Sequence, residues 1–215
     1  MQKNRPRILI ADDHTLVADL CRKLFESELE VVGIVNDGHA MVRAAIELKP
    51  DVILVDISMP GLNGLDAGHK VKEVIPAVKL VFLTMDSSTA LAAEAFRRGA
   101  SGYLLKTSSS SEMVTAMREV LRGNTYLAKA LCKDEVNFLC RSETHLAEKD
   151  NLLTERQREV LQLLAEGKVM KEIGAILNMT TRTVAFHKYR MMETLGARSN
   201  AELVRYAVRS HIVSA

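Results

Sequence analysis

Residues 52 to 67 read VILVDISMPGLNGLDA, and they hold a contradiction. A run of four apolar residues, Val52 to Val55, goes straight into a bare carboxylate, Asp56, before a loop that carries Pro60 and Gly61. An unbroken apolar run of that length is the mark of a strand buried on both faces. A charge at its buried end is costly unless something pairs with it. Asp56 therefore either begins the turn ahead of Pro60 or is kept there by chemistry.

On both sides of this stretch the same pattern repeats. Short apolar runs, RILIA (7 to 11), VVGIV (31 to 35), VILV (52 to 55), KLVFL (79 to 83) and GYLL (102 to 105), read as strands. Between them Leu16, Leu20 and Leu24, then Met41, Ala45 and Leu48, then Leu65, Val71 and Val74, then Leu91, Ala95 and Phe96 recur at helical spacing. Strand and helix in alternation predict an α/β fold with a doubly wound, five-stranded parallel sheet. Ser109 and Glu112 form a capping box for the last helix, 110 to 122.

Beyond Gly123 the pattern changes. YLAKALCKDEVNFLC reads as one connecting helix and RSETHLAEKDN as an exposed linker. No strand signal follows Leu152. Thr154 with Gln157 caps a helix ending near Gly167, a second covers 169 to 177, a third runs from 181 to 195 before Gly196, and Ser199 with Glu202 caps a fourth over 200 to 210. The expected organisation is an α/β domain over 5–122, a partly helical linker over 123–150 and a small all-α domain of four helices over 151–215.

Composition narrows the class. With 47% hydrophobic residues and only 11 Gly and 4 Pro in 215, disorder is not expected. Cys21, Cys132 and Cys140 are odd in number and lack a CxxC pair, which argues against a disulfide framework or a zinc site. The N-terminal stretch is too poor in apolar residues for a secretory signal, and no window approaches a membrane span, so the expected location is the cytoplasm, with no membrane partner. The net charge of +2 is uneven: from Asn151 onward ten Lys and Arg face six acidic residues. Arg182, Lys188 and Arg190 lie between Glu172 and Glu193 with no acid among them, a stripe that suits phosphates.

The strand ends answer the opening question. Asp12 and Asp13 follow the first strand, Asp56 ends the third, Thr84 ends the fourth and Lys106 follows the fifth. In an open parallel sheet ligands bind at the carboxyl ends, so these side chains are expected to share one crevice. Three carboxylates repel one another unless a cation sits among them, and oxygen-only ligation favours Mg²⁺. Asp56 is then placed as a nucleophile toward phosphorus, with Lys106 neutralising charge and Thr84 donating a hydrogen bond. Singly, each residue has a plainer reading: Asp13 or Thr15 capping the first helix, Asp56 opening a turn, Lys106 at the surface. Together, five at four strand ends argue for a site.

ADDH at 11 to 14, LVDISMPGLNGLDA at 54 to 67, LTM at 83 to 85 and GYLLK at 102 to 106 resemble the receiver domain of two-component response regulators, whose fold is flavodoxin-like. The resemblance implies that Asp56 is the phosphoacceptor for a sensor histidine kinase. It implies Mg²⁺ on Asp12, Asp13, Asp56 and the main-chain carbonyl of Ser58. Thr84 and Lys106 would contact the phosphoryl group, and Tyr103 matches a switch aromatic whose ring turns inward when the threonine moves. Thr107 departs from the pattern, since many receivers carry proline after the lysine.

In the third C-terminal helix Val184, His187, Met191 and Leu195 share one side, expected to pack on Val160, Leu161, Leu164, Ile173 and Leu177, with His187 a core residue rather than a metal ligand. Arg182, Ala185, Phe186 and Tyr189 fall opposite. An outward face with two aromatics and an arginine after a tight turn suits a helix-turn-helix in the major groove of double-stranded DNA, with Ala185 and Phe186 on thymine methyls and Arg182, Lys188 and Arg190 on phosphates or a guanine. Residues ~150 to 210 resemble the LuxR-type helix-turn-helix. That makes 181 to 195 the recognition helix, with Thr181, Arg182, Ala185, Phe186, Lys188, Tyr189 and Arg190 its candidate DNA contacts, and 200 to 210 a homodimer element. Receiver plus this module is the NarL/FixJ class, a transcription factor and not an enzyme beyond Mg²⁺-dependent phosphorylation and dephosphorylation of its own aspartate. Two alternatives stand beside it. A haloacid dehalogenase-type phosphatase would need its nucleophile on the first strand in a DxD pattern, where this chain has DDH; a phosphorelay intermediate would have no use for the helix-turn-helix.

Overall fold

The computed structural model describes residues 5–141 and 152–213. They fall into two compact units, one on either side of residues 142–151. In the first, β1 (Arg7–Ala11), β2 (Glu30–Val35), β3 (Val52–Asp56), β4 (Lys79–Thr84), β5 (Gly102–Leu105) and β6 (Tyr126–Leu127) form one sheet. Its order is β2-β1-β3-β4-β5-β6, and every pairing is parallel. The helices are α1 (Thr15–Phe25), α2 (Gly38–Leu48), α3 (Gly64–Val74), α4 (Thr89–Arg97), α5 (Ser110–Leu121) and α6 (Lys133–Arg141).

The interiors of β1, β3, β4 and β5 are apolar because both faces are covered. Leu9, Ile53, Val55, Leu80, Phe82, Tyr103 and Leu105 pack with Met41, Ala45, Leu65, Val71, Leu91 and Ala95 of α2, α3 and α4. Their neighbours Ile8, Ile10, Val52, Leu54, Val81, Leu83 and Leu104 pack with Ala18, Cys21, Phe25, Ala116, Met117 and Val120 of α1 and α5. The period-two alternation of a strand makes this division. Carried to the strand ends, it assigns Asp12, Asp56 and Lys106 to the α1/α5 side and Thr84 to the other.

The sheet has one strand more than the five expected. Tyr126 N–H donates to Ser101 O at 3.0 Å and Ala128 N–H to Tyr103 O at 2.8 Å, so the start of YLAKALCKDEVNFLC extends the sheet and only Lys133–Arg141 is helical. Two residues are too few for a periodic signal, and the alanines after them read as helix. Most of the polar stretch RSETHLAEKDN lies outside the described residues. The Ser109 box is half built: Ser109 Oγ accepts from Glu112 N–H at 3.2 Å, but the Glu112 carboxylate turns to Lys129 N–H at 2.8 Å, fastening α5 to the segment after β6.

The second unit contains α7 (Glu155–Ala165), α8 (Met170–Ile176), α9 (Thr181–Leu195) and α10 (Asn200–Arg209). The Thr154–Gln157 box is complete, and Gly167 and Gly196, at φ +83° and +65°, end α7 and α9 in the left-handed conformation. Ser199 Oγ caps α10 at Glu202 N–H, while the Glu202 carboxylate reaches back to Arg198 N–H at 2.7 Å. Val160, Leu161, Ile173, Leu177, Val184, Met191, Leu203 and Ala207 are buried together, with Leu164 and Leu195 partly buried against them. Gly174 has a direct cause: a Cβ there would lie 2.6 Å from Met179 O, in the turn between α8 and α9.

Candidate functional site

The strand order reverses at β1, with β2 on one side and β3 on the other, and the crevice at their carboxyl ends is where such a sheet receives ligands. Asp12, beyond β1, and Asp56, closing β3, are only 3% and 2% exposed. Lys106, after β5, reaches across β4 to both. Its Nζ donates to Asp56 Oδ2 at 2.8 Å and lies 2.9 Å from Asp12 Oδ2. Both contacts are within ion-pair distance, so one ammonium is shared between two buried carboxylates.

The other oxygens are held by backbone. Ser58 N–H donates to Asp56 Oδ1 at 3.2 Å, and His14 N–H to Asp12 Oδ1 at 2.8 Å. His14, the residue before α1, makes no side-chain cap, and its Nδ1 sits 2.8 Å from Asp13 Oδ1. Neither Asp13 nor Thr15 caps the helix, so the plainer reading of these residues is lost. The loop that follows β3 is folded tightly beneath the site. Gly64 N–H donates to Ile57 O at 2.8 Å, Asn63 caps α3 at Asp66 N–H, and a Cβ on Gly64 would meet Asp56 O at 2.1 Å.

Burial pushes the Asp56 carboxyl above its ordinary range, against the pull of Lys106 and Ser58 N–H. For Lys106 burial works the other way, but the Asp56 and Asp12 carboxylates outweigh it and raise the ammonium above its usual value. Lys106 is therefore charged at neutral pH. One oxygen each from Asp12, Asp13 and Asp56, with a ring nitrogen of His14, come within 4.8 Å of one another. Three carboxylates against one ammonium leave the pocket negative, and clustered carboxylate oxygens suit a hard divalent cation.

Thr84 is 2% exposed and sits at the same edge, but its hydroxyl is otherwise engaged. Thr84 Oγ1 accepts from Asp86 N–H at 3.1 Å, Asp86 Oδ1 accepts from Ser88 N–H at 2.7 Å, and Asp86 O accepts from Tyr103 OH at 3.0 Å. Asp86 thus joins Thr84, the cap of α4 and Tyr103, a role that sequence reasoning missed. The visible signal was an Asp two residues before the capping Ser88, which is an Asx turn. The Tyr103 ring is fully buried, with its phenol held well above the ordinary range mainly by burial. Inward ring and Asp86-bound threonine coexist here. Thr107 does not disturb the lysine: Lys106 N–H donates to Thr84 O at 2.7 Å.

In the second unit α9 spans the expected 181–195, capped by Thr180 Oγ1 on Thr183 N–H. Val184 and Met191 are buried; His187 and Leu195 are half-buried, His187 meeting the Phe186 ring edge-on at 5.8 Å. Phe186 is 60% exposed and Tyr189 64%, with Thr181, Arg182 and Arg190 beside them in solvent. Ala185 and Lys188 are only half-buried, and Lys188 Nζ sits 5.9 Å from the Tyr189 ring centroid. Arg190 is paired with Glu193 at 2.7 Å. The aromatic, basic face therefore exists, with Arg190 partly neutralised.

Comparison with known proteins matches residues 8–118 to the response regulator receiver domain and residues 151–207 to the bacterial regulatory proteins of the luxR family. The chain is similar to the oxygen regulatory protein NreC of Staphylococcus aureus, 35% identical over 214 residues that cover 96% of this chain and 99% of that one. Among solved structures it resembles RcsB of Salmonella enterica serovar Typhimurium bound to promoter rprA in the presence of phosphomimetic BeF3⁻, at 26% identity, a TM-score of 0.60, and coverage of 94% and 98%. Two RcsB dimers bound to two parallel DNAs match at 26% identity and a TM-score of 0.57, covering 96% and 99%.

Proposed function

We propose, for a chain that belongs to the NarL/FixJ class of response regulators, that Asp56 accepts a phosphoryl group from a sensor histidine kinase and that this controls DNA binding by α9. The protein is a DNA-binding transcription factor. The observation that carries the finer reading is the Lys106 ammonium set against the buried Asp12 and Asp56 carboxylates at the edge where the strand order reverses.

An Asp56 oxygen attacks phosphorus, the bond from phosphorus to the kinase's histidine nitrogen breaks, and its electron pair stays on that nitrogen, which takes up a proton. An acyl phosphate on Asp56 results. Lys106 holds charge against the transferred oxygens, Thr84 turns its hydroxyl toward them, and Ser58 N–H fixes the carboxylate. Mg²⁺ held by Asp12, Asp13, Asp56 and the Ser58 carbonyl would neutralise the phosphoryl charge during transfer. Turnover is confined to this aspartate, and the chain is not otherwise an enzyme.

On DNA the reading is a homodimer with Phe186, Tyr189 and Arg182 in the major groove and Thr181, Ala185, Lys188 and Arg190 around them. RcsB dimers on DNA support it. Among the described residues no helix is long and apolar enough to cross a membrane, and a DNA-bound regulator works in the cytoplasm. The domains are read as receiver through α5, a connecting segment, and the DNA-binding module from residue 151. A gel shift on genomic fragments with and without acetyl phosphate tests the reading: phosphodonor should change affinity, and equal affinity in both arms would contradict it.

A further inference from the structure

Past α5 the chain is strapped across the receiver. β6 hangs on the main chain of Ser101 and Tyr103. The chain then turns and lays α6 on α4. Leu131 and Val136 are buried in the core that contains Leu91 and Ala95, Arg97 Nη1 donates to Leu139 O at 3.1 Å, and the Cys140 thiol lies 3.7 Å from Ala93 O. With nine residues, α6 is too short to be helical by itself in water. It is a helix because α4 holds it.

Both anchors lead back to the pocket through Asp86. Its carboxylate fixes Ser88, which caps the helix under α6; its carbonyl holds the hydroxyl of Tyr103, whose own carbonyl holds β6. Its N–H rests on Thr84 Oγ1. A phosphoryl group on Asp56 recruits the Thr84 hydroxyl, and turning that side chain draws Oγ1 away from Asp86. Asp86, joined to both strap anchors, then loses a bond.

We infer that the segment from β6 through α6 is a releasable strap, docked on α4 while Asp56 is a free carboxylate and freed when Asp56 carries a phosphoryl group. Released, α6 melts, and its residues join the connection to the DNA-binding unit, an order-to-disorder switch driven from the pocket. This rests on the phosphoacceptor reading of Asp56.

The chain supplies its own reporter. Cys132 is exposed, Cys21 is buried in the opposite core, and Cys140 is half-buried against α4. The full chain is pulse-labelled with a maleimide in Mg²⁺, with and without acetyl phosphate, and peptide mass spectrometry reads each thiol and the Asp56 adduct in one sample. Cys140 labelling should accelerate roughly tenfold or more in the phosphorylated protein, as expected of a local opening, with Cys132 and Cys21 unchanged. Arg97→Ala, which loses the bond to Leu139 O, should speed Cys140 labelling without phosphodonor. An adduct on Asp56 with Cys140 unchanged overturns the strap and leaves the phosphoacceptor standing. Acceleration at Cys21 as well means general loosening and also overturns it. No adduct on Asp56 removes the phosphoacceptor reading, and the strap falls with it.

Discussion

Lys106 and Asp56, fifty residues apart, form a 2.8 Å ion pair that closes the carboxyl edge of the sheet. Removing the ammonium leaves two buried carboxylates facing each other. Lys106→Met should therefore lower stability by on the order of 3 kcal/mol, as breaking a buried pair does. Mg²⁺ should recover part of the loss. Urea unfolding with and without Mg²⁺ measures both, and an unchanged midpoint would mean that the two acids are not charged together.

A second, half-buried network joins α3 to α4. Arg98 Nη1 meets Asp66 Oδ1 at 2.6 Å, and Arg98 Nε meets Glu94 Oε1 at 2.5 Å. Burial pushes the Glu94 carboxyl up, but Arg98 and Arg97 more than reverse it, so it sits below its ordinary 4.5. A carboxyl lowered by folding stabilises fully above its ordinary pKa and loses that contribution as pH falls through its folded value. Wild-type stability should fall in acid below about pH 4.5 for this reason. Arg98→Met should be less stable at pH 7 and show a flatter acid limb; parallel curves would contradict the assignment.

Gly174→Ala sets two effects against each other. Helix propensity favours alanine by about 1 kcal/mol, while the new Cβ would lie 2.6 Å from Met179 O, a backbone atom with little room to retreat. The clash should win, with a net loss of about 1 to 3 kcal/mol as for overpacking. Thermal unfolding checks the sign, and a stabilised variant would show that the turn gives way.

What was legible follows from period and chemistry. The strands were visible because short apolar runs recur between helical patterns, and α9 because its apolar stripe, Val184 to Leu195, runs up to Gly196. The common place of Asp12, Asp13, Asp56, Thr84 and Lys106 at the strand ends was legible because each directly follows or closes an apolar run. β6 was hidden because two residues show no period. Asp86 was hidden because its role lies in three backbone-level bonds across a turn, and the half-built Ser109 box because Glu112 had a better partner 17 residues on.

The outward face of α9 should separate affinity from specificity. Phe186 and Tyr189 are mostly exposed, so Phe186→Ala should leave stability within about 0.5 kcal/mol. It should relax discrimination at one or two base pairs by roughly 1 to 3 kcal/mol. Lys188→Ala should weaken binding to all sequences and reduce the salt slope by about one per lost phosphate contact. Arg190→Ala should do less, since Glu193 already competes for that guanidinium. Site selection and salt titration check these; identical base preferences for wild type and Phe186→Ala would show that this face does not read DNA.

Phosphoryl transfer to Asp56 is read most directly by locating the adduct. The full chain is incubated with Mg²⁺ and acetyl phosphate, and the adduct is located by peptide mass spectrometry in wild type and in Asp56→Asn. A base-labile phosphoryl group is expected on the wild-type peptide containing Asp56 and none anywhere on the variant. An adduct that persists on Asp56→Asn would contradict it.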